Sequence, residues 1–347
     1  MRALQYTAIG LPPEIREVPT PEPGPGEVLL KVTAAGVCHS DEFVMSLPAE
    51  DYPYALPLTL GHEGAGIVAA LGAGAGGAGG PKEGDAVALY GAWGCGYCKT
   101  CASGAENYCP NAVAMKIPWP GFEAPGTMAE YMLVPSARHL VPLGDLDPVG
   151  NVPLTDAGLT PYHAIKPSLP KLVPGSAAVV IGVGGLGHLA IQMLRALSPA
   201  RVIALDIGEN KLAFAREVGA HAAFPSDPSS VDAVRDLTGG RGAEAVFNFV
   251  GLQATADLAA KLACAVADIV MVGLGPGAIP VGMGKLPGGT SVRVPVWGTR
   301  PELLEVLDLA RSGTIRVETE RFALEDGAKA YERLHARMLR GRAVLVP

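Results

Sequence analysis

From residue 153 onward, the sequence alternates short apolar runs with longer amphipathic ones, a pattern that few folds accommodate. The alternation passes through AAVVIG, HLAIQMLRAL, RVIALD, NKLAFAREVGA, AEAVFNFVG and DIVMVGLG, which all lie within residues 177–275. Strands that are apolar on both faces and are separated by helices are typical of a parallel sheet covered on both sides. The sequence therefore predicts an α/β fold with a doubly wound parallel sheet.

A glycine motif, GVGGLG, follows the first of these strands and opens the first helix. Gly182 allows a tight turn, Gly184 lets the backbone approach a pyrophosphate, and Gly187 allows the helix to pack closely on the sheet. The free N–H groups at the helix start attract phosphate. In this context the motif predicts a Rossmann dinucleotide site that also includes Gly185 and Leu186. A glycine-rich turn that binds nothing is the alternative.

Asp206 ends the strand that follows the glycine motif. A carboxylate at this position binds both hydroxyls of the adenosine ribose and repels a 2′-phosphate. Ile207 and Gly208 come next, so no arginine stands there to receive a phosphate. The sequence therefore predicts NAD rather than NADP as the cofactor.

Four of the six cysteines lie in one segment, WGCGYCKTCASGAENYC (93–109), with the spacing C-x2-C-x2-C-x7-C. The N-terminal residues lack the apolar core of a signal peptide, so we expect a cytoplasmic, reducing location in which disulfides are improbable. This spacing favours one tetrahedral zinc cage, with an iron–sulfur cluster as the main competitor. Four thiolates leave no open position, which makes the site structural. The predicted ligands are Cys95, Cys98, Cys101 and Cys109.

Charge and composition exclude some partners and suggest two domains. The net charge is −7 and no Lys/Arg-rich run appears, which argues against nucleic acid. The most apolar stretch, 176–194, contains glycines and a histidine and is interpreted as a strand, a turn and a helix rather than a membrane span. We predict a mainly β domain at 1–152, a cofactor domain at 153–290, and a return segment at 291–347 that completes the first domain.

Three residues outside the cysteine segment could hold a second, catalytic zinc: Cys38, His62 and Asp156. A catalytic zinc needs three protein ligands and one open position. Taken singly, each residue has an ordinary explanation: a buried thiol, a hydrogen-bonded histidine and a helix cap. The chemistry of the residues alone does not establish the group.

The sequence resembles the zinc-dependent, medium-chain alcohol dehydrogenase family over its whole length, and most closely the shorter bacterial secondary-alcohol dehydrogenases. The segments that carry the resemblance are GHEGAGIVAALGAGA, CGYCKTCASGAENYC, VIGVGGLGHLAIQMLRAL and NKLAFAREVGA. It implies a GroES-like catalytic domain beside the Rossmann domain, two zinc ions per chain, and reversible hydride transfer between NAD and an alcohol or ketone. It also implies a homo-oligomer, either a tetramer or a dimer.

The resemblance implies a role for each matching position. Cys38, His62 and Asp156 match the ligands of the catalytic zinc, although many relatives have a Cys where Asp156 stands. Beside the zinc, Glu63 matches a carboxylate that orients or transiently replaces a ligand, and Asp41 matches the partner of the ligand histidine. Ser40 matches the hydroxyl that forms a hydrogen bond with the substrate oxygen.

Four further positions match residues that contact the cofactor. His39 matches a base near the pyrophosphate and Arg342 a second residue at the pyrophosphate. Lys211 matches a residue at the adenosine ribose, and Thr160 is also expected at the cofactor.

The sequence departs from the family at Phe43, where many relatives carry a histidine that ends a proton relay. The relay is then expected to pass from Ser40 through the nicotinamide ribose to His39 or water. Phe43 becomes a candidate wall of the substrate pocket, and three further aromatic residues are candidates for the same role: Tyr54, Trp93 and Trp297. Ordinary packing is the alternative explanation for each of them.

Three alternative functions share these features. A zinc-dependent polyol or sugar dehydrogenase would need a polar pocket, whereas YPYALPL (52–58) and VPVWG (294–298) are apolar. A zinc-free quinone or enoyl reductase would not need Cys38, His62 or the cysteine segment. A non-catalytic NAD-binding protein would not need to retain the metal ligands.

Overall fold

The computed structural model describes residues 1–347, which form two units. The first unit contains residues 1–156, 299–311 and 316–347, and the second contains residues 157–298 and 312–315. The predicted domain limits, 152 and 290, precede these divisions by a few residues. No helix combines the length and the apolar character that a bilayer crossing requires.

The strands are β1 (Arg2–Tyr6), β2 (Glu14–Glu17), β3 (Val28–Val37), β4 (Leu58–Thr59), β5 (Glu63–Leu71), β6 (Ala86–Leu89), β7 (Tyr131–Val134), β8 (Leu140–Pro142), β9 (Ala177–Ile181), β10 (Arg201–Asp206), β11 (Ala222–Pro225), β12 (Ala243–Asn248), β13 (Ala263–Met271), β14 (Ser291–Arg293), β15 (Thr319–Ala323) and β16 (Arg342–Val346). The helices are α1 (His39–Met45), α2 (Lys99–Ala102), α3 (Pro148–Asn151), α4 (Leu159–Ile165), α5 (Gly187–Leu197), α6 (Glu209–Glu217), α7 (Ser230–Leu237), α8 (Gln253–Leu262), α9 (Arg300–Arg311) and α10 (Gly327–His335). Short 3-10 turns occupy Glu106–Tyr108, Ala137–His139, Val152–Thr155, Lys166–Lys171 and Leu324–Asp326.

The second unit is built on a six-stranded sheet in which every pairing is parallel. Its strand order is β11-β10-β9-β12-β13-β14. The strands β10 and β11 are added on one side of β9 and the strands from β12 onward on the other, so the order of addition reverses between β9 and β12. This order is typical of doubly wound dinucleotide-binding folds, in which ligands bind where the order reverses. The predicted parallel sheet and fold class are therefore confirmed, and the glycine motif directly follows β9.

The first unit is mainly β. Its largest sheet has the order β15-β16-β3-β5-β6-β8, with β7 also pairing with β3, and a three-stranded sheet runs β2-β1-β4. Strand β3 is buried along most of its length because it contacts β5, β7 and β16. The core of this unit is aliphatic, with Leu30, Leu60 and Leu89 fully buried. The C-terminal strand β16 thus belongs to the same sheet as β3 and β5, which come from the N-terminal part of the chain.

Candidate active site

The ends of three neighbouring strands bring the predicted catalytic residues together. In the antiparallel pair of β3 and β5, Gly36 lies opposite Glu63. Cys38, just after β3, therefore comes close to His62, just before β5. On the other side of β3, Ala343 lies opposite Val37, which places the start of β16 beside the same end of the strand.

The side chains of Cys38, His62 and Asp156 form a compact donor set. Their ligand atoms all lie within 4.8 Å of one another. Asp156 Oδ2 is 3.5 Å from Cys38 Sγ and 3.6 Å from His62 Nε2. A tetrahedral zinc with bonds of about 2.0 Å to oxygen and about 2.3 Å to sulfur places a carboxylate oxygen and a thiolate sulfur about 3.5 Å apart. The set therefore fits a zinc ion and provides three protein ligands, as a catalytic zinc requires.

Asp41 fixes the orientation of His62. The Nδ1 atom of His62 lies 2.9 Å from Asp41 Oδ1, so its other ring nitrogen, Nε2, faces Cys38 and Asp156. A hydrogen bond of this kind sets the tautomer of a metal-binding histidine. Tyr331 donates a hydrogen bond of 3.0 Å to Asp41 Oδ2. Nothing in the sequence singled out Tyr331, because it lies far along the chain in α10.

Arg342 is buried at the site and binds two carboxylates. It donates hydrogen bonds to Glu63, 2.5 Å and 3.1 Å long, and a third of 3.1 Å to Asp156. Burial opposes its positive charge, but Cys38, Glu63 and Asp156 raise the pKa of Arg342 well above its usual value. Arg342 therefore stays charged and neutralises Glu63. Its predicted contact with pyrophosphate, and the predicted exchange of Glu63 onto the metal, both stay predictions.

The predicted site residues of α1 differ in their contacts with the donor set and in their exposure. Ser40 Oγ lies 3.4 Å from Cys38 Sγ, within reach of a ligand bound beside the thiolate. His39 is mostly exposed, and its Nε2 atom lies 3.9 Å from Glu42. Phe43 is also exposed, with 46% of its surface accessible. The structure thus puts the Ser40 hydroxyl at the donor set, while the relay role of His39 and the pocket role of Phe43 stay predictions.

The four cysteines of the 93–109 segment converge as the spacing predicts. Their sulfur atoms lie within 4.8 Å of one another, and those of Cys95 and Cys101 are 3.9 Å apart. Two zinc–sulfur bonds of about 2.3 Å at the tetrahedral angle give a separation of about 3.8 Å. Hydrogen bonds from the backbone amides of Tyr97 and Cys98 lower the pKa of Cys95 to about 6, which favours its thiolate, whereas burial raises the pKa of Cys101 to about 12. Metal binding deprotonates the coordinating thiols. The cluster therefore fits a closed zinc cage.

Residues that the sequence did not reveal support the cage. Glu106, inside the cysteine segment, accepts a 3.0 Å hydrogen bond from the Gly94 amide and lies 3.2 Å from Arg138 and 3.4 Å from His139. Glu106 and His139 are buried, and the His139 ring stacks on Trp93 with 5.1 Å between centroids. These contacts connect the cage to the core of the first unit.

Replacing Cys98 with serine is expected to remove the zinc from the cage and to lower the melting temperature. A structural zinc contributes its binding free energy to folding, so the loss of one ligand destabilises the segment directly. Zinc content should fall from two ions to one per chain, measured by atomic emission beside thermal unfolding. Cys264→Ser is the matched control, because Cys264 is a buried thiol outside both clusters. An unchanged zinc content in Cys98→Ser would remove this residue from the cage.

The glycine motif has the geometry of a phosphate-binding turn. Gly182 adopts a φ of +92°, which a residue with a side chain rarely tolerates. A Cβ atom on Gly187 would lie 1.8 Å from the Gly182 carbonyl oxygen, so only glycine fits there. Helix α5 begins at Gly187 and has no side-chain cap at its N-terminus. No side chain therefore competes with an anion at this end of the helix, although the His188 amide donates to the Gly184 carbonyl.

Asp206 lies against the glycine turn. Its carboxylate accepts hydrogen bonds from the amides of Val183, at 2.7 Å, and Gly208, at 3.1 Å. It is partly exposed, which leaves room for a ribose. Lys211 follows in the first turn of α6 and is half-buried, and Thr160 is buried near the start of α4. Their contacts with a cofactor stay predictions.

The predicted aromatic wall residues have different environments. Trp93 is buried in the core of the first unit and donates a hydrogen bond to the Tyr90 carbonyl. Trp297 is buried in the second unit. Tyr54 is half-buried, and its ring centroid lies 6.5 Å from that of Phe122. Phe122, which the sequence did not reveal, packs 5.1 Å from the His62 ring. Ring contacts therefore connect Tyr54, through Phe122, to His62 of the donor set.

Comparison with known proteins covers both units. The family model for the alcohol dehydrogenase GroES-like domain matches residues 24–145, and the model for zinc-binding dehydrogenases matches residues 185–312. The chain is 34% identical to an NAD-dependent alcohol dehydrogenase of Sulfurisphaera tokodaii, and the match covers 100% of both chains. It is 33% identical to a D-arabinose 1-dehydrogenase (NADP+) of Saccharolobus solfataricus, over 97% of this chain and 95% of that protein.

A solved structure is similar over the same length. The crystal structure of an alcohol dehydrogenase from Aeropyrum pernix superposes with a TM-score of 0.91 at 34% identity and covers 100% of both chains. Together with the family models, this match confirms the GroES-like and Rossmann architecture. Because relatives at this identity match along their entire length, the chain belongs to the zinc-dependent, medium-chain alcohol dehydrogenase family.

Proposed function

We propose that this protein catalyses the reversible oxidation of an alcohol, preferably a secondary one, to the carbonyl compound with NAD. The observation that carries the proposal is the set of Cys38, His62 and Asp156, with the Ser40 hydroxyl 3.4 Å from the sulfur. A zinc ion held by these three ligands supplies Lewis acidity, which lowers the pKa of an alcohol hydroxyl and polarises a carbonyl. The family assignment supports the same chemistry.

The residues of the chain then have distinct tasks. The Ser40 hydroxyl would accept the proton of the substrate hydroxyl and give up its own proton at the same time. NAD held at the glycine turn would supply the hydride acceptor for alcohol oxidation, and in ketone reduction Ser40 would return a proton to the oxygen. The proton that Ser40 gives up would pass to His39 or water, because Phe43 has no proton to carry. Asp41 holds the imidazole of His62 in place, and Arg342 balances the charge of Glu63 and orients Asp156.

An apolar substrate fits the surroundings of the site better than a polyol. Phe122 provides ring surface next to His62, and Tyr54 lies beside Phe122. A polyol would need hydrogen-bond partners for several hydroxyl groups, and each unpaired polar group would cost affinity. Turnover of 2-alkanols and aryl ketones should therefore exceed turnover of polyols and aldoses at equal concentration. Faster turnover of D-arabinose, in line with the similarity to a sugar dehydrogenase, would favour the sugar class instead.

Replacing Asp206 with glycine is expected to reduce the preference for NAD over NADP by at least about tenfold, or about 1.4 kcal/mol. The carboxylate repels a 2′-phosphate and binds the ribose hydroxyls, and both effects disappear with it. The dissociation constants of NADH and NADPH, measured by fluorescence titration, give the ratio. Asp206→Asn separates charge from shape, since it keeps an acceptor for the Val183 amide. A ratio that does not move in either variant would exclude Asp206 from cofactor selection.

We further propose that the protein is a cytoplasmic homo-oligomer, either a tetramer or a dimer. Strand β14 is the last strand of its sheet, and two apolar side chains that follow it are exposed: Val294 at 72% and Val296 at 42%. An open sheet edge of this kind pairs readily with a second copy. Thiolates at two metal sites suit a reducing compartment. Light scattering after size exclusion would measure the mass, and a monomer at micromolar concentration would contradict the oligomer.

A further inference from the structure

Helix α10 contacts α1 through two side chains one turn apart. The Tyr331 hydroxyl donates to Asp41 Oδ2 at 3.0 Å, and His335 Nδ1 lies 2.5 Å from Glu42 Oε1. Residues four apart lie on one face of a helix. The first contact is buried, whereas the second is at the surface, where His335 is 84% exposed. The buried face of α10 is therefore directed at the segment that carries the ligand Cys38.

The carboxylate of Asp41 has three donors. His62 Nδ1 lies 2.9 Å from Oδ1, while Oδ2 accepts from the Cys38 amide at 3.0 Å and from Tyr331. Two of these donors belong to metal ligands, and Asp41 itself is fully buried. Tyr331 is thus the donor that holds the carboxylate from outside the ligand residues. Without it, Oδ2 would keep only the backbone bond.

The Tyr331 hydroxyl has little choice of acceptor. The residue is 6% exposed, and the other polar atom described near its oxygen is Met128 Sδ, at 3.4 Å. A thioether is a weak acceptor, so the proton goes to the carboxylate. Burial raises the pKa of Tyr331 well above its usual value, and the phenol remains a donor.

We propose that Tyr331 is a positioning residue for the catalytic zinc, acting through Asp41 on His62. The inference rests on the proposed zinc site of Cys38, His62 and Asp156. Partners beyond the ligand shell fix the ring of a coordinating histidine and raise its basicity, and their loss weakens metal binding by about 10–100-fold. Tyr331 is one hydrogen bond further from His62 than Asp41 is. The loss of its hydroxyl is therefore expected to weaken metal binding by a factor at the lower end of this range.

Zinc release tests the inference without turnover. Tyr331→Phe keeps the ring and removes only the hydroxyl. In this variant the zinc at Cys38 should dissociate about tenfold faster into an excess of a colorimetric chelator. The zinc in the cage of Cys95, Cys98, Cys101 and Cys109 should leave at the wild-type rate and serves as the internal standard. Tyr52→Phe is the matched control, since the Tyr52 hydroxyl is buried and has no hydrogen-bond partner.

A second background shows whether Tyr331 acts through the carboxylate. In Asp41→Ala the acceptor of the phenol proton is gone, so adding Tyr331→Phe should change the release rate little. Equal acceleration of both zinc sites by Tyr331→Phe, or an undiminished effect in the Asp41→Ala background, would overturn the proposal. Thermal unfolding of each variant separates a local effect from general destabilisation. The alcohol panel tests the proposed function separately, because release is measured without substrate.

Discussion

Replacing Cys38 with serine is expected to lower kcat/KM for a secondary alcohol by about three orders of magnitude or more. The thiolate is one of three donors within 4.8 Å, and a serine hydroxyl at the same place stays protonated and binds zinc poorly. If the Lewis acid contributes roughly 4 kcal/mol to the transition state, its loss costs about 10³ in rate. Steady-state kinetics together with zinc content would measure the effect.

Two further readouts define the outcome for Cys38→Ser. Zinc content should fall to one ion per chain, and the remaining ion should reside in the cysteine cage. The affinity for NADH should be unchanged, because the glycine turn and Asp206 belong to the second unit. The control is Cys264→Ser, which should keep two zinc ions and wild-type rates. Turnover near the wild-type rate in Cys38→Ser would disprove the assignment of the catalytic zinc.

Replacing Arg342 with methionine is expected to destabilise the first unit by about 3–5 kcal/mol. Arg342 is 2% exposed and donates to Glu63 and Asp156. Its removal leaves the buried carboxylate of Glu63 without its counter-charge and takes one hydrogen bond from Asp156. Urea unfolding, followed by tryptophan fluorescence, would measure the loss. Turnover should fall as well, because Asp156 loses a hydrogen bond that orients it.

Two further variants test whether the effect of Arg342→Met comes from its buried ion pair. Arg333→Met removes a partly exposed ion pair with Glu320, 2.7 Å long, and should cost at most about 1 kcal/mol. Adding Glu63→Gln to Arg342→Met removes the unpaired charge of Glu63 and should recover part of the stability. If Arg342→Met were no more destabilising than Arg333→Met, the buried pair would not be needed for folding.

The features that the sequence revealed are local or belong to a known family. The alternation of apolar and helical runs and the position of GVGGLG predicted the parallel sheet and its turn, because both depend on neighbouring residues. The spacing of the four cysteines predicted the cage for the same reason. Cys38, His62 and Asp156 were grouped by resemblance, since no local pattern connects residues so far apart.

The other contacts of the candidate site depend on strand register, which cannot be read from a single sequence. The pairing of Gly36 with Glu63 and of Val37 with Ala343 brings Arg342 to the metal ligands. Sequence reasoning placed Arg342 at the pyrophosphate, which stays a prediction, and did not reveal its hydrogen bonds to Glu63 and Asp156. It did not consider Tyr331 or Phe122. The pocket role of Trp93 also stays a prediction, and its packing against His139 was not visible in the sequence. Long-range packing decides these contacts.

The place of β16 in the central sheet has a consequence for biosynthesis. Arg342 begins β16, while Glu63, which it neutralises, and Asp156, to which it donates a hydrogen bond, are translated much earlier. Domains generally fold as units during synthesis. A nascent chain whose β16 is still inside the ribosome would hold Glu63 without its counter-charge. The metal centre is therefore expected to reach its final geometry only when β16 has joined the sheet.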